Sequence, residues 1–180
     1  MAKKIALFGG SFNPPHWAHR QVLELLRGLP QFDEVWMVPT FDHPFEKDLA
    51  PFEDRVAMCR LTIAGLGPKV SLCGVEGEMQ KSPSYTFDTI REFKKRFPEK
   101  HFSLVLGSDC KKDLVRWKEI DRLKQEAEFF FIPRPGIEES PFMDISSSEI
   151  RGLVRSGKKF TKYLAPEVAA FIEEKGLYRK

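Results

Sequence analysis

Two histidines, His16 and His19, stand three residues apart just behind a Gly9–Gly10–Ser11 turn, in the stretch LFGGSFNPPHWAHRQV. Three residues is nearly one helical turn. The imidazoles therefore share a face of the helix that Val22, Leu25, Leu26 and Leu29 predict from His16 to about Leu29. Glycines let backbone N–H groups come close to a ligand, and a helix N-terminus behind them favours anions. Two imidazoles placed there can donate hydrogen bonds to phosphate oxygens as negative charge builds during phosphoryl or nucleotidyl transfer. Two surface histidines on an N-terminal helix would carry the same spacing without any chemistry. Zinc fits less well, because helical ligand pairs prefer i, i+4 spacing and no cysteine lies close in sequence. The turn is not a GxxxxGK(S/T) phosphate loop, and GxGxxG does not follow the first apolar run.

A second cluster lies in ISSSEIR, where Ser146, Ser147 and Ser148 bring hydroxyls and N–H groups to a helix start and Arg151 follows one turn later. Hydroxyls, a positive dipole end and a guanidinium suit the terminal groups of a triphosphate; plain N-capping beside a solvated arginine is the alternative. A third lies in GSDCKKDLVRW. Gly107 ends an apolar run, and Asp109 follows at a position where an acidic group binds ribose hydroxyls or caps a helix. Trp117 offers an indole for stacking on an aromatic ring or for core packing, and Thr86 in SPSYTFDT also fits a helix N-cap.

These groups need a scaffold, and the sequence outlines one. Apolar runs at 4–8, 34–39, 69–74, 101–107 and 127–133 alternate with helical patterns near 16–29, 53–65, 82–97 and 110–125. The last two runs are continuous, as expected of strands covered on both faces. Strand–helix alternation predicts an α/β fold: a mostly parallel five-stranded sheet with right-handed crossovers, in which ligands sit beyond the carboxyl ends of the strands. Two helical patterns finish the chain. One has the capping-box spacing Ser146 to Glu149, and the other has Pro166 at its first turn and Gly176 at its stop. No repeat or linker interrupts 1–180, which reads as a single domain.

With 180 residues, 42% hydrophobic and 31% charged, the composition is that of an ordinary globular chain and excludes disordered and collagen-like classes. A formal charge of +3 is too small to argue for a nucleic-acid partner. Cys59, Cys73 and Cys110 are odd in number and widely spaced, which points to a reducing compartment rather than a disulfide frame. The apolar run IALF is too short for a signal peptide, and no run is long enough to span a membrane, so a cytoplasmic protein is expected.

In order along the chain, GGSFNPPHWAH, SPSYTFDT, LVLGSD with a later RW, IPRPG, ISSSEIR and the closing GLYRK resemble bacterial nicotinate-nucleotide adenylyltransferases, from about Ile5 to Lys180. That family belongs to the nucleotidyltransferases of the HxGH signature. The resemblance implies a Rossmann-like sheet with helices on both faces, and adenylyl transfer from ATP to nicotinate mononucleotide with release of pyrophosphate. It implies that His16 and His19 contact the ATP phosphates and stabilise the transition state. Gly9, Gly10, Ser11 and Phe12 would receive the nucleotide, together with Gly107 and Asp109, the latter near ribose. Ser146, Ser147, Ser148 and Arg151 would hold the phosphates, and Thr86, Trp117 and Lys47 would face the mononucleotide. Mg²⁺ would be held mainly by the ATP phosphates, and a homo-oligomer is compatible with the pattern. The same chemistry on nicotinamide mononucleotide or pantetheine phosphate, cytidylyl transfer, and a non-catalytic nucleotide-binding homologue are the other readings. Three features depart from the family pattern: Ala18 replaces the signature glycine, Asn13 replaces the aspartate of the FDP turn, and the loop TFDHPFEK stands where Pro-Pro-His-Lys is usual. The segment between RPG and DISSS is short, so part of the usual sheet edge is expected to be missing.

Overall fold

A computed structural model describes residues 2–44 and 48–179. The five apolar runs form β1 (Lys4–Gly10), β2 (Glu34–Pro39), β3 (Val70–Leu72), β4 (His101–Gly107) and β5 (Glu128–Ile132). All four neighbouring pairs are parallel, in the order β3-β2-β1-β4-β5. Side-chain alternation along β1 divides the core. Ala6 and Phe8 face one side and pack with Val22, Leu23 and Leu26 of α1 (Trp17–Gly28) and Cys59 of α2 (Phe52–Ile63). Ile5 and Leu7 face the other side, with Phe87, Ile90 and Phe93 of α4 (Thr86–Arg96) and Leu123 of α5 (Ile120–Glu126). Helices thus cover both faces of a wholly parallel sheet.

A third apolar layer joins the chain's end to its beginning. Ile150 of α6 (Ser147–Arg155) and Val168, Ala169 and Ile172 of α7 (Pro166–Lys175) pack with Ala18 and Met58. The Ser146–Glu149 capping box forms as its spacing predicts, and Gly176 ends α7 in the left-handed region.

The structure differs from the sequence reading in three places. A short helix, α3 (Val75–Met79), follows β3; five residues show no helical period to read. The charged pattern near 110–125 is not one helix: 3-10 turns at Ser108–Lys112 and Leu114–Arg116 precede α5. β5 packs on both faces, Phe130 against the first core and Phe129 against the second, but less fully than the inner strands. Its Phe129, Phe130 and Phe131 are half-buried because β5 is an edge strand, with β4 as its neighbour on one side only.

Candidate active site

In the order β3-β2-β1-β4-β5 the winding direction reverses between β1 and β4, which opens a crevice at their carboxyl ends. Two cavities occupy it. The first, about 240 Å³, is lined by His16, His19, Gly107, Arg134 and Ser146 among others. The second, about 610 Å³, is lined by Gly10, Glu76, Tyr85, Thr86 and Trp117 among others. Gly9, Asp109 and Cys110 line both, so the two spaces meet at the end of β1.

His16 is the N-cap of α1, and His19 is its third residue. In this capping-box arrangement histidines stand where Ser and Glu are usual: the His16 N–H donates to His19 Nδ1 at 3.1 Å. His16 Nδ1 is buried without a hydrogen bond of full geometry. The rings stack with centroids 3.7 Å apart, 26° from parallel. Phe12 meets His19 edge-on at 5.0 Å, and Phe8 lies 6.0 Å away. Phe12 sits at φ 46°, a costly backbone for an aromatic residue, and a Cβ on Gly10 would come within 3.2 Å of its ring. Gly10 therefore gives room to the ring that holds His19. Burial, with the Arg134 guanidinium as a second cause, pulls the His16 pKa down to about 3. Burial also holds His19 well below its ordinary value, with His16 and Arg134 acting in the same direction. Both imidazoles are neutral at physiological pH.

The serine cluster reaches this turn from the far end of the chain. Ser147 Oγ donates to the Pro14 carbonyl at 2.8 Å, and Arg151 Nη1 donates to the Asn13 carbonyl at 2.8 Å. Arg151 Nη2 also donates to Ser148 Oγ at 3.2 Å. Ser146 is occupied as the cap, accepting from the Glu149 N–H. Asn13 is fully buried and uses both ends of its amide: Nδ2 donates to the Asp48 carbonyl, and Oδ1 accepts from the Ala50 N–H.

The structure thus brings Gly9, His16, His19, Gly107, Asp109 and Ser146 around the first cavity, and Gly10, Thr86 and Trp117 around the second. Other candidates are placed elsewhere. The Phe12 side chain is 2% exposed and lines neither cavity, because it packs against β1 and α1. Ser11 gives its carbonyl to Arg55, while Ser147, Ser148 and Arg151 brace the turn and do not line either cavity. Thr86 is the first residue of α4, and the cap is Tyr85. Lys47 lies outside the described residues.

Sequence reasoning missed three residues. Arg134 follows β5 at its carboxyl end, lines the first cavity, and lies 3.7 Å from the Asp109 carboxylate. The strand-end rule applied to β5 would have found it. Glu76, on α3, lines the second cavity and accepts from the Phe41 N–H and Thr89 Oγ1. Arg55 is 1% exposed and donates to the carbonyls of Ser11, Thr40, Phe41 and Ala50, tying the ends of β1 and β2 together. Nothing in local sequence separates these two from ordinary helix-face charges.

A parallel sheet with histidines, a serine-capped helix and two joined cavities at its switch point defines a nucleotide-binding α/β protein of the nucleotidyltransferase kind. The profile of the Cytidylyltransferase-like family matches residues 7–153. Relatives named "Probable nicotinate-nucleotide adenylyltransferase" are 39% identical in Anaeromyxobacter dehalogenans, over 98% of this chain and 97% of theirs, and 38% identical in Salinibacter ruber, over 97% of each. The chain belongs to the nicotinate-nucleotide adenylyltransferase family within the cytidylyltransferase-like proteins. A solved structure of Plasmodium falciparum nicotinic acid mononucleotide adenylyltransferase complexed with NaAD superposes with a TM-score of 0.84 at 26% identity, covering 98% of this chain and 97% of that one.

Proposed function

We propose that this chain transfers the adenylyl group of ATP to nicotinate mononucleotide, giving nicotinate adenine dinucleotide and pyrophosphate in NAD biosynthesis. What carries the reading is the junction of the two cavities at Gly9 and Asp109. Two substrates seated there would abut, with the triphosphate beside the histidines and the pyridine ring beside Trp117. The names of relatives at 34–39% identity support the same acceptor.

A phosphate monoester has its second pKa near 6, so the mononucleotide is largely dianionic at neutral pH and needs no general base. One of its oxygens attacks the α-phosphorus, and the bond from that phosphorus to the bridging oxygen breaks, with the electron pair leaving on pyrophosphate. Catalysis then consists of alignment and charge stabilisation. His16 and His19 would donate hydrogen bonds as neutral groups, and Arg134 would supply positive charge from the wall of the first cavity. Ser147 and Arg151 would hold the Asn13–Pro14 turn, and with it His16, in place. Asp109 would accept from ribose hydroxyls, with Arg134 steadying its carboxylate.

Among the described residues no group of three His, Cys, Asp or Glu side chains is arranged to hold a metal ion. The carboxylates of Asp109 and Glu149 are engaged by Arg134 and Ser146. This donor set fits a Mg²⁺ that arrives on the ATP phosphates and keeps its water ligands. When bound, that ion would neutralise charge on the phosphate oxygens. No helix of the described residues is long and apolar enough to cross a membrane, and the three free thiols support a cytoplasmic setting.

The experiment is a Mg²⁺-dependent assay of pyrophosphate and dinucleotide release with ATP and, side by side, nicotinate mononucleotide, nicotinamide mononucleotide and pantetheine phosphate. Fastest turnover with nicotinate mononucleotide is expected. Faster turnover with either other acceptor, or ATP binding with no product, would overturn the reading.

A further inference from the structure

The two histidines do more than share a helix face. A backbone amide can only donate, so His19 Nδ1, which takes the His16 N–H at 3.1 Å, must be the unprotonated nitrogen of its ring. A neutral imidazole with a bare Nδ1 carries its proton on Nε2. Turning the ring over would put Cδ2 where Nδ1 stands and forfeit this bond, and the stacked His16 ring at 3.7 Å and the edge-on Phe12 ring at 5.0 Å pack against the ring as it is.

We propose that the His16 amide fixes His19 as an uncharged Nε2–H donor of one tautomer, aimed at the phosphates of the nucleotide in the first cavity. His16 thereby acts as a positioning residue through its backbone, whatever its ring contributes.

Burial and the nearest charged neighbours favour the neutral form. Arg134 approaches from the loop after β5 and opposes a second positive charge, as the stacked His16 ring would if protonated. Phe8 and Phe12 are apolar. Asp109, Asp144 and Glu149 line the same cavity and act the other way; Asp109 is drawn to Arg134 and Glu149 to the α6 cap, which leaves Asp144 as the opposing carboxylate. Cys110, the remaining titratable side chain of that wall, has its thiol pKa pushed up by burial and is uncharged.

A neutral donor of fixed direction is useful here. It stabilises charge that develops on the departing pyrophosphate without attracting the ground-state polyphosphate as strongly as a cation would, and it needs no reorientation when charge shifts. The donor's function rests on the adenylyl-transfer reading; its tautomer does not, and the test separates them.

The test is long-range ¹H–¹⁵N correlation of the histidine rings in the ligand-free, full-length protein from pH 5.5 to 8, repeated with MgATP. His19 is expected to show a protonated Nε2 and a pyridine-type Nδ1 throughout, with MgATP shifting Nε2 more than Nδ1. A protonated Nδ1, a mixture of tautomers, or both nitrogens protonated at pH 5.5 would overturn the assignment whether or not the chain makes dinucleotide. In turnover, His19→Gln keeps an uncharged N–H donor and is expected to be at least about ten-fold faster than His19→Ala, whose full loss is roughly 10²–10³-fold. Equal rates for the two variants would remove the donor role while leaving the tautomer standing.

Discussion

Arg151 Nη1 lies 2.8 Å from the carbonyl oxygen of Asn13, although 138 residues of chain separate them. With Ser147 Oγ on the Pro14 carbonyl, this bond joins the N-terminus of α6 to the turn that delivers His16 and His19. The two ends of the chain therefore converge on one wall of the crevice. Both bonds anchor backbone carbonyls of a turn with no strand partner, and that is where a side-chain donor is needed to fix position.

If the histidines act on the phosphates, removing either ring lowers transition-state stabilisation more than substrate binding. His16→Ala and His19→Ala are each expected to reduce kcat by roughly 10²–10³-fold, with smaller changes in the KM for ATP. Steady-state kinetics check this, and near-normal kcat in both variants would defeat the assignment.

Burial of the two imidazoles also makes stability depend on pH. Below an ordinary histidine pKa of about 6.5 the unfolded chain takes up a proton at each ring, while the folded chain leaves His16 neutral down to about 3 and His19 neutral to well below its ordinary value. Unfolding thus consumes protons, and stability falls as pH drops from 6.5 towards 3. The slope is about 1.4 kcal/mol per pH unit for each ring well below 6.5. Urea titrations between pH 7 and 5 should show that slope, and the His16→Gln, His19→Gln double variant should flatten it. An unchanged slope in that variant would mean the rings are protonated in the fold.

Trp117 lines the second cavity and is only partly buried, against the core of α4 and α5. Stacking on a pyridine ring acts before as well as during reaction, so Trp117→Ala should weaken mononucleotide binding by roughly ten-fold and alter kcat less. Calorimetric titration with nicotinate mononucleotide measures this directly; an unchanged affinity would assign the indole to packing alone.

Asn13, which replaces the usual aspartate, needs both a donor and an acceptor at its buried site. Asn13→Ala leaves the Asp48 carbonyl and Ala50 N–H without their partner and should cost about 1–3 kcal/mol. The urea midpoint at constant m-value reports the loss. A variant as stable as the parent would show that water replaces the amide at no cost.

Much of this fold is written locally. The β2 run from 34 to 39 and the β4 run from 101 to 107 are strands over those same residues, since continuous apolar runs that short have few other ways to be buried. The Ser146–Glu149 box and Gly176 stop are equally legible, because caps act within one turn of chain. The identity of His16, His19, Asp109 and Trp117 as candidates came from residue type and order. What only the tertiary structure decided are relationships between distant segments. Arg55 and Glu76 gain their roles from carbonyls, amides and hydroxyls supplied by other elements, and Arg134 from a cavity wall built by three strands' ends. Phe12 turned inward, against expectation, because the glycine beside it leaves space for a ring that the core can bury. The pairing of His16 with His19 was visible as a spacing; the bond that selects a tautomer appeared only once the chain had bent its first helix out of the turn.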